Sequence, residues 1–276
     1  MNNDPLLPYL RERFPLAARS PKQFRELHSA AERLAATKSE ADVITAGLDL
    51  SQTLDGSLPF WRKRFKGDSG FSYLRGTALE AIVIQLATVV ADASGSKHDL
   101  VVEKIPTGTG VITGLSFQFR RGSIPKDVPL TLRRDRDDVI IGIKRNIVVT
   151  GTDDSRASFA DELIPICVVA CKMYIDATRL ENVLAKARSI LASHSRCSFL
   201  VASDWDALGE KEWHDAAGQL LDSLYAPVED IIFLRGDSVR RPKNSDLAKK
   251  SHSNPYLAAQ LQRLACAMRM AIQKWN

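Results

Sequence analysis

Two hydrophobic rhythms divide the chain. Between residues 21 and 55 the stretch FRELHSAAERLAATKSEADVITAGLDL repeats apolar residues at helical spacing among good helix formers. Ser39, ahead of Glu40 and Ala41, is placed to start a second helix within it. A basic loop, WRKRFKGDSG, is expected next. Residues 72–93, SYLRGTALEAIVIQLATVVADA, then align Leu79, Ile82, Val83, Leu86, Val89 and Val90 in one stripe. That spacing predicts a well-buried helix.

The rhythm then shortens to two. VVEKI, GVITGLSFQF, LTL, DVIIGIKRNIVVTG and LIPICVVACKMYI are rich in Val, Ile, Thr and Phe, as strands of a mixed sheet would be. Helical spacing returns in ATRLENVLAKARSILASH, followed by a short strand, CSFLVAS, and a helix around 209–224. DIIFLR reads as another strand. NPYLAAQLQRLACAMRMAIQKW reads as a closing helix with Pro255 in its first turn. The order predicts an α/β or α+β single domain with a helical N-terminal arm.

Composition changes this picture little. The 276 residues are 45% hydrophobic and 26% charged, the balance of an ordinary globular protein with a sizeable core. No run near the ~18 apolar residues of a membrane span stands out, and MNNDPLLPYLRERF has no signal-peptide core. A cytoplasmic protein without a membrane partner is expected. Cys167, Cys171, Cys197 and Cys266 sit in apolar contexts without zinc-ligand spacing, so they read as small buried thiols.

Charge adds more. The net charge of +5 permits a polyanion partner without demanding one, but the basic residues cluster. WRKRFK, RRGSIPK, RRDR, KR (144–145) and RRPKNSDLAKK lie at predicted loops and strand ends. A single such cluster is a solvated face; five favour a polyanion. Other motifs are weaker. PTGTGVITG lacks the ending of a nucleotide-binding loop and runs into a strand, so it reads as a hairpin turn. The five histidines show no paired metal spacing.

The remaining constellation joins acids to a lysine. RDRDDVIIGIK sets Asp135, Asp137 and Asp138 at the start of one apolar strand, and LIPICVVACKMYID carries Lys172 near the end of another. A lysine in such a strand needs a partner or a task. An aspartate and a lysine on adjacent strands can serve phosphodiester hydrolysis. Carboxylates hold Mg2+, which polarises the phosphate, and the lysine orients water or offsets developing charge. Alternation sends Asp137 and Asp138 to opposite faces; Asp138, directly before the apolar run, is preferred and Asp137 is the reserve.

ELIPICVVACKMYIDATRLENVLAKA resembles the central motif of PD-(D/E)xK restriction endonucleases, and is most similar to the group cutting CTNAG-containing sites. The shared features are Lys172, Tyr174, Asp176, Leu180 and Glu181. RDRDDVII is similar to that family's metal-binding segment, SLYAPVEDIIFLR to its late strand and NPYLAAQLQRL to its closing helix. The likeness spans about residues 70–275. It implies a restriction-endonuclease-like mixed sheet flanked by helices, with an arm over 1–66 and a nuclease core with DNA-recognition loops over 67–276. It also implies Mg2+, double-stranded DNA as partner and, from the class, a homodimer, with a heteromer as the other possibility. Glu80, on the buried helix, is a further catalytic candidate, as an extra metal ligand or a water anchor, the other reading being a structural residue at the helix start. Tyr174 and Asp176 shape the strand exit and cap the next helix. Arg120, Arg121, Arg133, Arg134, Arg240 and Arg241 are the candidates for phosphate or base contacts.

One position departs from the pattern. The family places Glu or Asp where this chain has Ala170, and alanine offers no ligand oxygen. Three explanations are open: an engineered Glu→Ala change, a migrated carboxylate such as Glu181, or a natural non-cutting subunit. The first is preferred, because the surrounding motif is intact. The expected function is therefore a type II DNA endonuclease with impaired cleavage, the alternative being a non-catalytic DNA-binding subunit or regulator.

Overall fold

The computed structural model describes residues 5–17, 19–65, 68–104, 111–117, 130–135, 138–150, 156–208, 228–237, 239–243 and 246–276. The helix expected around 209–224 and the glycine turn at 106–110 lie outside them.

Helices open the chain: α1 (Leu6–Arg13), α2 (Lys22–Ala35), α3 (Glu40–Gly56), α4 (Leu58–Phe65) and α5 (Asp68–Ala93). Ser39 caps α3, its hydroxyl accepting from the Asp42 amide at 3.2 Å. The expected WRKRFKGDSG loop is mostly helix instead. Leu58 and Trp61 are fully buried, and Trp61 stacks on Phe24 with Phe14, Phe60 and Phe65 around it. This aromatic cluster supplies the tertiary contacts that hold a short basic segment helical.

Helix α5 is apolar on almost every side and sits in the centre of the molecule. By length and composition Gly70–Ala93 could cross a membrane, contrary to the expectation that no such run exists. Here 78% of that window is buried inside the protein, so α5 is accounted for as a core helix.

The strands are β1 (Leu100–Glu103), β2 (Val111–Phe117), β3 (Leu130–Asp135), β4 (Val139–Thr150), β5 (Arg156–Ile175), β6 (Ser198–Asp206) and β7 (Asp230–Phe233). A five-stranded mixed sheet has the order β1-β4-β5-β6-β7, and β2 pairs with β3 apart from it. β1, β4 and β5 are antiparallel neighbours, while β6 and β7 run parallel to β5. Helix α6 (Ala177–Ser193) links β5 to β6; α7 (Leu247–Ser253) and α8 (Ala258–Gln273) end the chain. Pro255 lies before α8, not in its first turn.

The sheet separates two apolar layers. Cys167, Val169 and Cys171 of β5 face α5, α8 and the N-terminal helices, whereas Val168 and Ala170 face α6. Residues of α1 to α4 share the first layer with α5, so the helical region packs on the sheet's own core. A bulge shapes β5 just before its functional end. Gly142 pairs with Pro165 and Ile141 with Cys167, which leaves Ile166 as the extra residue. A Cβ on Gly142 would lie 2.5 Å from the Ile164 carbonyl oxygen, so this close approach requires glycine.

Candidate active site

Three neighbouring strands end at one edge of the sheet. Lys104 follows β1, Asp138 precedes β4, and Lys172 lies near the end of β5. The register Val139 to Val169 sets Asp138 one step further along, beside Ala170. Asp138 Oδ2 accepts from the Cys171 amide at 2.7 Å and from Lys172 Nζ at 3.0 Å. Lys172 Nζ also donates to the Cys171 carbonyl at 3.1 Å. The pair is about 30% exposed, 31% for Lys172 and 28% for Asp138, so it meets solvent at the rim of the core.

Helix α5 brings Glu80 to the same edge, where it ion-pairs with Lys104. Burial pushes the Glu80 carboxyl above its ordinary range; Lys104 pulls it back, and the charge of Asp138 adds to the rise. The Cys171 thiol, buried on the α5 side, lies within electrostatic reach of Asp138, Glu80, Lys172 and Lys104. Two ion pairs, Asp138–Lys172 and Glu80–Lys104, thus lie at one edge of the sheet.

Other candidates fall elsewhere. Ala170 is 1% exposed within the apolar layer shared with Val168, Val201 and Leu180. Glu181 does not support the migrated-carboxylate idea. Leu180, Val183, Leu184, Ala187 and Ile190 turn inward from α6, so Glu181 is exposed and makes no contact with the Asp138–Lys172 pair among the described residues. The helical carboxylate at this edge is Glu80, through its ion pair with Lys104. Asp137, Arg120 and Arg121 lie outside the described residues, as do the side chains of Arg133 and Arg134 on β3. Arg240 is tied to the fold: it ion-pairs with buried Asp206 and donates to the Leu208 carbonyl.

Arg241 stands nearer the site. Its guanidinium carbon is 3.8 Å from the centroid of the Tyr174 ring, and that of Arg179 is also 3.8 Å away. Only one guanidinium fits on each face at that distance, so the ring is sandwiched between two cations two residues past Lys172. Asp176 caps α6, accepting from the Arg179 amide at 2.9 Å, as its place after β5 suggested. Lys104 and Arg179 escaped sequence reasoning. Lys104 closes an apolar strand as Lys172 does, a signal that was present but had no surrounding motif.

A chain of the native BbvCI A2B2 tetramer, solved at low resolution, superposes with a TM-score of 0.58 at 12% sequence identity, covering 92% of this chain and 87% of that one. The fold is restriction-endonuclease-like. No family model matches the chain, and no curated protein matches it significantly. In a restriction-endonuclease-like fold, Mg2+ is the implied cofactor. Among the described residues no group of three or more His, Cys, Asp or Glu side chains converges. Mg2+ needs fewer, because one or two carboxylates suffice when water and a substrate phosphate complete its shell. Asp138, whose two hydrogen bonds both fall on Oδ2, and Glu80 are hard oxygen donors of that kind, so the donor set fits.

Proposed function

We propose that this chain is a type II restriction-endonuclease-type protein that binds double-stranded DNA, with a phosphodiesterase site built on Asp138 and Lys172 and weakened by Ala170. The observation that carries this reading is the 3.0 Å contact between Lys172 and Asp138, residues 34 positions apart in sequence on neighbouring strands. Glu80 and Asp138 are the residues that would hold Mg2+. When bound, the ion supplies positive charge against the scissile phosphate and acidifies a water. Lys172, anchored by Asp138 and the Cys171 carbonyl, presents its amine to the phosphate or the attacking water, where it offsets developing negative charge. Arg241 and Arg179 flank the same strand end on the Tyr174 ring, and Arg241 is the one we assign to a backbone phosphate.

A second reading, a non-catalytic subunit of a heteromeric enzyme, also has support. Ala170 fits its apolar surroundings without exposure, and the BbvCI assembly contains two kinds of chain, A2B2. Ala170→Glu separates the two. Under the first reading the variant nicks or cuts plasmid DNA at defined positions with Mg2+, whereas the present chain does so weakly or not at all. Tight duplex binding by both proteins with no cleavage by either would favour the second.

A further inference from the structure

The role given to Glu80 beside Asp138 leaves its ion-pair partner, Lys104, without an assigned task. The two partners are unequally free to move. Glu80 sits on a core helix with 18% of its side chain exposed, whereas Lys104 follows the last residue of β1 with 34% exposed. A four-carbon stem on a strand exit can swing its ammonium into water, but a carboxylate rooted in α5 cannot follow. Burial of Glu80 also makes a counter-cation necessary whenever the carboxylate is charged. The β1–β4 register sets Lys104 beside Val139, next to Asp138, so the ion pair with Lys104 holds Glu80 at the same edge of the sheet.

We propose that Lys104 is an internal counter-ion that stands on Glu80 in place of a divalent cation, so that metal binding between Glu80 and Asp138 requires Lys104 to swing away. This rests on the metal-dependent reading above and deepens it, because it makes Lys104 a positioning residue that sets metal affinity. The lysine keeps the apo site electrically balanced and competes directly with the ion for one carboxylate. Removing the amine should therefore tighten metal binding, whereas removing a residue that only supports the site should weaken it.

The test is titration of the full-length protein with Mn2+, the free ion being followed by electron paramagnetic resonance, with thermal melting as a check of folding. Lys104→Met and Lys104→Gln should each bind Mn2+ roughly two- to fivefold more tightly than the parent, the equivalent of removing one partly exposed ion pair. Adding Glu80→Gln to Lys104→Met should abolish the gain. Unchanged or weaker binding by both single variants overturns the proposal, and so does a gain that survives the loss of Glu80. If Lys104→Met melts early, Lys104→Gln keeps the hydrogen-bonding tip and carries the measurement. A gel shift of duplex DNA without metal is read separately: loss of that shift in the parent overturns the DNA-binding reading and leaves the metal result standing.

Discussion

Cys167, Cys171 and Cys197 lie inside the protein, while Cys266 is exposed on α8, contrary to the expectation that all four are buried. The helical register decides this, since α8 turns Leu261, Leu264, Ala265 and Met268 inward and leaves Cys266 between them on the outer face. Burial raises the Cys167 and Cys171 thiols well above their ordinary value. A raised pKa keeps the thiol protonated, and the thiolate is the nucleophile, so these groups stay inert at mildly alkaline pH. Under native conditions at pH 8, a thiol reagent such as dithionitrobenzoate should modify Cys266 rapidly and leave the buried three unreacted until the protein unfolds. Fast modification of more than one thiol in the folded state would contradict the packing of β5 and β6.

The exit of β5 and the start of α6 form a unit in which each residue constrains the next. Asp176 leaves the strand, caps α6 and pairs with Arg179, which the cap places against Tyr174; Arg241 closes the other face of the ring. Asp176→Ala should therefore cost about 1 kcal/mol in urea unfolding, the usual cost of a lost N-cap. Arg241→Ala should cost about 0.5–1 kcal/mol, the range of a cation–π contact. If Arg241 contacts a phosphate, the variant weakens duplex binding about uniformly across sequences and lowers the salt slope by roughly 1. An unchanged slope would remove Arg241 from the interface. Arg240, six residues after the buried Leu234 and bonded to Asp206, is predicted instead to act on stability.

At the scale of the molecule, the N-terminal helices, the sheet and the C-terminal segment meet at one buried charge network. Arg235 donates to Asp204 at 2.6 Å, to Asp55 at 3.2 Å and to the Ser251 carbonyl at 3.1 Å. Arg75 of α5 lies 2.7 Å from Asp204 and 3.2 Å from Asp55. The 2.7 and 2.9 Å contacts on the Oδ2 atoms of Asp204 and Asp55 fall outside hydrogen-bond geometry, so they act as charge pairing. The Trp205 and Tyr256 rings enclose Arg235 at 4.5 and 4.9 Å. Burial alone would make the guanidinium easier to deprotonate, but Asp204 and Asp55 reverse this and hold its pKa above the ordinary value. Arg235→Met leaves two buried carboxylates to one arginine and should cost roughly 3–5 kcal/mol, read as a fall in the urea midpoint. A loss under about 1 kcal/mol would show that the network is not a junction of the fold.

Local pattern determined the succession of elements: Ser39 starting α3, the buried stripe of α5, the apolar strands β4 to β6 and the cap at Asp176. These depend on backbone propensity and side-chain periodicity, which act between residues close in the chain. The lysine in β5 and the aspartates before β4 were also legible, because a charge at the end of an apolar strand is anomalous wherever the strand lies. The pairing of Asp138 with Lys172 was expected as well, and the contact is there; the other neighbours of those charges were settled only by the tertiary structure. Glu80 rather than Glu181 reaches the site, Lys104 joins it, Arg240 serves the fold, and α4 is a helix because an aromatic cluster holds it. Each depends on which strand ends lie side by side and which helix crosses them. That is a property of sheet order and packing between distant segments, and no local spacing encodes it.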